Sequence, residues 1–332
     1  MRPFLRPVFL VSLLSFPLAG CSGSADSAAP TPPRAAAPAA KAVSAPPVRS
    51  IDLDRDGSLR ETEPMQAKEF FVWAREGEER TVTYRLDAQG RAVEELEGIV
   101  IATSAGPWQW QAEDRSVPTA ACEYQDDEGH VFGGDAVEPG TATRASLRHL
   151  ASGAEQIIVD PGVELIGNAD IKHDLGVIAS IGPYVFVEEA TYAYACGAHG
   201  NTGVSMLIWN AATGMTVAMP TDLGQLDAAR AAAIDALTDE EDDTFAPTDD
   251  MLELTEIVPR FSPDGALTLG LQYTAPTCYA CTRGGWGSYT KSTVVDAPAV
   301  PALLVPFASP PPAVRTFLRA HPEVDVKGWS AR

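Results

Sequence analysis

Three groups of residues have types and spacings that can do chemistry. The first is Asp52 to Glu63, DLDRDGSLRETE. Asp52, Asp54, Asp56, Gly57, Leu59 and Glu63 fall on positions 1, 3, 5, 6, 8 and 12 of the EF-hand calcium loop. Carboxylates at alternate positions can point inward, glycine allows the sharp turn, Ser58 can offer its backbone carbonyl, and a bidentate Glu63 can close the shell. Arg60 stands at the water-mediated ninth position, a Pro-rich segment replaces the entering helix, and Pro64 follows at once. The spacing therefore predicts a weak calcium site, on the order of 10⁻⁴ to 10⁻³ M. The competing interpretation is a plain acidic turn.

The second group is the cysteines. Leu18-Ala19-Gly20-Cys21 matches a bacterial lipobox, in which the Cys21 thiol accepts diacylglycerol. That leaves Cys122, Cys196, Cys278 and Cys281, an even set suited to two disulfides in an oxidising compartment, with three connectivities open. Cys278 with Cys281 across a tight turn, and Cys122 with Cys196, is the favoured arrangement. A redox role for Cys278-x-x-Cys281 is disfavoured because the pair sits in a Gly-rich loop without a βαβ pattern. A zinc site lacks a second close pair of ligands. The third group is His199, which as a base needs a carboxylate such as Asp170 or Asp174. A histidine between Ala198 and Gly200 in a turn more often bonds the backbone. No Gly-x-Ser-x-Gly, His-Glu-x-x-His or His-x-x-x-His occurs.

The flanking sequence supports the lipobox. Arg2 and Arg6 form a positive start, and Val8 to Phe16 is an apolar run too short to span a bilayer stably. Ser22 after the cysteine favours the outer membrane. Cleavage before Cys21 removes residues 1–20. Residues 21–48 are Ala, Pro and Ser with few large apolar groups, which predicts a disordered tether. The whole chain carries 24 Lys and Arg against 45 Asp and Glu, a net −21. Loss of Arg2 and Arg6 takes the mature form to −23. Such acidity argues against nucleic acid and anionic lipid surfaces, and it suits a cation or a basic protein.

The elements that must hold these groups centre on Tyr184 to Leu223. Tyr192, Tyr194 and Cys196 alternate with small residues, Gly197 to Asn201 force a turn, Val204 to Trp209 form an apolar strand, and Met215 to Met219 return after Asn210–Gly214. Before this meander, strands are expected at Phe70–Trp73, Thr81–Leu86, Ala92–Leu96 and Ile99–Thr103, with Gly-containing turns between them. Trp108 and Trp110 share one side, as core or half-buried rim. A short helix is expected at Thr143–Leu150, strands at Ile157–Val159, Val163–Ile166, Leu175–Ile181 and Leu267–Tyr273, and a last strand at Val300–Phe307. The best helix is Leu226–Leu237, capped by Thr221 or Asp222. A closing helix starts near Ser309–Pro312 and faces the sheet with Val314, Phe317 and Leu318. Asp239–Asp243 is an acidic loop and a secondary cation candidate. The fold class is α+β, antiparallel meanders with about two covering helices. The expected organisation is the acidic loop at 49–66 and one domain at 67–332, with two lobes meeting near Gly167 as an option.

The central meander also carries a resemblance. Tyr192-x-Tyr194-x-x-Gly197-Ala198-His199-Gly200-Asn201, then an apolar strand, Thr213-Gly214, and Asp222-Leu223 before a helix, is similar to the RsiV-like extracytoplasmic domain. Tyr273-Thr274-Ala275-Pro276 resembles a later segment of that domain. Cys196 stands where the family has glycine. The resemblance covers the second half of the chain. It implies a recognition module, since relatives sense lysozyme, and other relatives sit beside peptidoglycan deacetylases. The metal motif of those deacetylases and the membrane span and sigma-binding segment of the anti-sigma relatives are missing here. The expectation is thus a lipid-anchored envelope protein that binds a lysozyme-type or other basic protein, or peptidoglycan. A glycan hydrolase using His199 and a calcium-stabilised structural lipoprotein are the alternatives.

Overall fold

A computed structural model describes residues 69–77, 80–125, 131–133, 139–161, 170–194, 200–220, 223–224, 226–238, 246–276 and 290–332. All belong to the unit that contains Ala67–Arg332. The elements are β1 (Phe70–Glu76), β2 (Arg80–Leu86), β3 (Ala92–Glu97), β4 (Val100–Thr103), β5 (Gly106–Val117), β6 (Glu123–Gln125), β7 (Val131–Gly133), β8 (Gly140–His149), β9 (Glu155–Val159), β10 (Asp170–Ile181), β11 (Tyr184–Tyr194), β12 (Asn201–Asn210), β13 (Met215–Val217), α1 (Asp227–Leu237), β14 (Glu253–Phe261), β15 (Leu267–Pro276), β16 (Thr290–Asp296), α2 (Pro312–Ala320) and β17 (Asp325–Ala331). The fold is therefore mostly β-sheet with two α-helices among the described residues, a smaller helical share than the α+β expectation implies.

The large sheet runs β13-β12-β11-β10-β17-β1-β2-β3 and forks at β10. β11 pairs antiparallel along nearly all of β10. On its other side β10 meets β8 at Lys172–His173 and β17 at Ser180–Ile181, both in parallel. Those parallel contacts were not anticipated; the other pairings in the sheet are antiparallel. β8 continues the second branch to β5, β4 and β9. Strands on either side of residue 167 thus share one sheet.

The four early strands form as expected, but their burial does not alternate: β3 is mostly exposed and β4 is buried throughout. Phe70 to Ala74 are all buried, because β1 is a central strand covered on both faces. The turns after β2 and β3 contain Gly90 and Gly98 at φ 80° and 79°, conformations that L side chains resist. The meander appears as β11, β12 and β13. Trp108 is buried and Trp110 half-buried, on the face they share.

A second sheet, β14-β15-β16, packs against the large one. β14 lies against β12, β10 and β17, and α1 covers β16 and β15. Ile257, Leu269, Leu271, Phe186, Ile208, Ala229 and Ala233 share one buried cluster. α2 packs on β1 and β2, with Val314, Phe317 and Leu318 buried as expected. At α1, Ala229, Ala233 and Leu237 are buried and Leu226 and Ile234 partly so; Leu226 is the N-cap and offers no side-chain cap, and the expected caps Thr221 and Asp222 lie outside the described residues.

Two element expectations fail. Thr143–Leu150 is not a helix; its residues form β8 and the turn after it, because β5 and β9 both hydrogen-bond to that stretch. Its Ala and Leu content gives way to pairing on both edges. Val300–Phe307 is not the last strand but a turn followed by one 3₁₀ turn over Val305–Phe307. Pro301 and Pro306 cannot donate to a ladder. The last strand is β17, between β10 and β1.

Candidate functional site

Polar groups converge on the two faces of β11, the strand between β10 and β12. Residues 185, 187 and 189 leave one face and 186, 188 and 190 the other. On the first, His173 of β10 and Ser205 of β12 flank Glu189. His173 Nε2 donates to Glu189 Oε1 at 2.6 Å, and Ser205 Oγ donates to Oε2 at 3.1 Å. The His173 bond, ahead of partial burial, holds the Glu189 carboxyl below its ordinary value. His173 is 4% exposed, and its Nδ1 has no hydrogen-bond partner.

This trio differs from a nucleophile–base–acid relay. There the imidazole sits between acid and hydroxyl and takes the hydroxyl proton. Here the carboxylate sits in the middle and Ser205 gives its hydrogen bond to that carboxylate. The geometry locks three strands together and fixes the imidazole, leaving Nδ1 as the group turned away from the acid.

On the opposite face Glu188 follows Phe186 by two residues. Phe186 and Ile257 of β14 belong to the same buried cluster. Glu256 precedes Ile257, so its side chain leaves the other side of β14, and the charge of Glu188 reaches it. Glu256 is 2% exposed, and its Oε1 has no hydrogen-bond partner. Gln272 stands directly opposite Glu256 in the β14–β15 ladder, equally buried, and its Nε2 also lacks a partner. Burial first, then the like charge of Glu188, pushes the Glu256 carboxyl up to about 7. Burial also raises Glu188, partly offset by Arg75.

The fork in the sheet accounts for Arg75. Between the β8 and β17 contacts, no strand among the described residues pairs with that edge of β10. Arg75 Nη2 fills the gap by donating to the Val177 carbonyl at 3.3 Å. Gly176, the register partner of Glu188, is exposed, and a Cβ there would meet open space. Lys172 and Asp174 are exposed on the same face and pair at 2.8 Å.

The sequence motif lies at the lower end of that face. Tyr192 and Tyr194 end β11, half-buried, and Gly200 leads into β12 at Asn201. A Cβ on Gly200 would run into the Tyr192 ring, which explains glycine at that position. Gly197, Ala198 and His199 lie outside the described residues, as do Cys21, the loop residues Asp52, Asp54, Asp56, Ser58 and Glu63, the tether, Asp239–Asp243, Cys196, Cys278 and Cys281. Cys122 is described, immediately before β6, and is disulfide-bonded. Its partner lies outside the described residues.

Sequence reasoning passed over His173, Glu188, Glu189, Ser205, Glu256 and Gln272. A signal existed for one of them. In Ile171-x-His173-x-Leu175-x-Val177 the histidine occupies an apolar position of an alternating strand, which implies a buried and partnered side chain.

A separate groove of about 460 Å³ lies on the outer side of β5, β8 and β9, lined by Gln111, Glu113, Arg144, Arg148 and Glu155 among others. Arg144 there is held by Glu155 at 2.7 Å and Asp160 at 3.6 Å, so its charge is already answered within the fold.

Among the described residues, no group of three or more His, Cys, Asp or Glu is placed to hold a metal ion, and no helix is long and apolar enough to cross a membrane. No family model, no curated protein and no solved structure matches the chain.

Proposed function

We propose that this is a bacterial envelope lipoprotein, anchored through a lipid on Cys21 and facing the periplasm or the surface from the outer membrane. Its folded part is a binding module for a basic envelope protein of the lysozyme type. The observation that carries this is charge: the mature form bears −23 behind a lipobox and a Pro- and Ala-rich tether. Fields of that sign speed encounter with a cationic partner and fall with salt. The acids are presented, too. β3 ends the path of the large sheet with Glu97 exposed, and Asp170 is exposed opposite Tyr194. The resemblance of the Tyr192–Asn201 motif to lysozyme-sensing domains points the same way.

Calorimetry of the mature chain without its lipid, titrated with a c-type lysozyme, tests the binding half. Heat at low salt that shrinks at physiological salt is expected. A folded domain giving no heat at either salt rejects the lysozyme partner. Cys21→Ser tests the anchoring half: the variant should leave the membrane fraction and lose palmitate labelling, and continued sedimentation with label rejects the anchor.

A further inference from the structure

The buried carboxyl of Glu256 has no role in that binding reading, and its setting is unusual. It sits on β14, the strand of the second sheet that lies against β10, β12 and β17, 2% exposed, with Oε1 unpartnered, opposite a buried Gln272 whose Nε2 is also unpartnered. An ionised carboxylate without hydrogen bonds is costly to hold in such a place, whereas a neutral carboxyl costs much less.

The groups that face this position can be followed element by element. β11 contributes Glu188, a like charge. β15 contributes Gln272 and Thr274, both neutral and buried. β10 and β12 contribute Ile178, Met206 and Ile208 to the apolar cluster that holds Ile257, the neighbour of Glu256 in β14, and none of these is charged. β17 carries Lys327 and Asp325, which pair with each other at 2.9 Å. Arg75 of β1 acts on Glu188 and donates to Val177. Arg230 of α1 is bound to Asp249 at 2.6 Å and stacks over Tyr273, whose side chain leaves β15 on the face opposite Gln272. Among these described groups, no cation is placed to neutralise Glu256.

We propose that Glu256 is a proton-controlled latch between the two sheets: with its carboxyl protonated, β14 stays seated on β10 and β12, and with it ionised that seat loosens. The latch is independent of which partner the protein binds. Its direction follows from linkage. The folded protein holds this proton more tightly than an unfolded chain does, with the carboxyl raised from 4.5 to about 7. The stabilising contribution is therefore fully present below the unfolded value and is lost as pH rises through about 7. Neutral to mildly alkaline surroundings would loosen β14, and mild acid would seat it.

Hydrogen exchange of the mature chain, corrected for the intrinsic rate, tests this at pH 6 and pH 8. In the wild type the protection of β14 amides should fall about tenfold across that interval. Glu256→Gln, which imitates the protonated form, should keep its protection at pH 8. Glu188→Gln keeps the carboxyl and removes the like charge, so the transition should move to lower pH. A merely structural Glu256 would not move that midpoint. Flat protection in the wild type, or the same pH profile in Glu256→Gln, overturns the latch. If Glu256→Gln does not fold, Glu188→Gln decides, and an unshifted midpoint there overturns it.

Discussion

Trp73 Nε1 donates to Ser180 Oγ at 2.7 Å, joining β1 to β10 across 107 residues of chain. Both side chains are buried, and β17 passes between them. Gly328 of β17 leaves room for the bond, since a Cβ there would meet both Ser180 Oγ and the Trp73 indole nitrogen.

Ser180→Ala should therefore leave the Trp73 N–H buried and unpaired, at a cost of about 1–3 kcal/mol in urea unfolding. Adding Trp73→Phe to Ser180→Ala should show strong non-additivity, because the second change has no hydrogen bond left to break. A Ser180→Ala variant within about 0.5 kcal/mol of wild type would mean that the indole finds another acceptor.

Glu189 predicts an acid limb. Its carboxyl is lowered by His173, so its contribution is present above the unperturbed 4.5 and is lost as pH falls through the folded value. Glu189→Gln should flatten the stability profile on the acid side, the opposite side from Glu256. Urea midpoints of wild type and variant between pH 3 and 6 measure this. Parallel profiles would show that other carboxylates set the acid limb.

The thiols give a covalent test. Cys122 is bonded in a disulfide, and the expected map of the mature protein pairs it with Cys196 and joins Cys278 to Cys281. Non-reducing peptide mass mapping reads both links. Two free thiols at Cys278 and Cys281 would bring the redox alternative back.

Calcium should raise the melting temperature through mass action on the folded state. Asp54→Ala with Glu63→Ala should abolish the shift. An undiminished response in that double variant would place the ion elsewhere, with Asp239–Asp243 the first loop to mutate.

Local pattern carried the strands whose two faces differ and the turns that need glycine. β2, the meander and both helices follow from alternation, from Gly90 and Gly98, and from the apolar stripes of α1 and α2. It failed where partners decide. β8 has helix-forming residues yet is held by β5 and β9, and β17, read DVKGWSA, has little of a strand in it beyond Val326 and Trp329. The candidate site was legible only by location. Tyr192 and Tyr194 marked β11, but Glu188 and Glu189 look like any solvated acidic pair until neighbouring strands fix which face each takes. Glu256, in ELTEIVPRF, reads as a surface residue, and only tertiary packing around β14 buries it.

The pairing of β1 with β17 also sets an order of events. Export across the membrane, amino terminus first, delivers β1 early and β17 late, and β10 has only its distal end free for β17 until then. Throughout that interval the inner edge of β1, with Phe70 to Trp73 apolar, has no strand beside it. An unpaired apolar edge is a template for other chains. Productive folding of this protein should therefore depend on a holding chaperone while the chain is still incomplete, and shortening that wait by moving β17 ahead of β1 in a circular permutant should reduce the dependence.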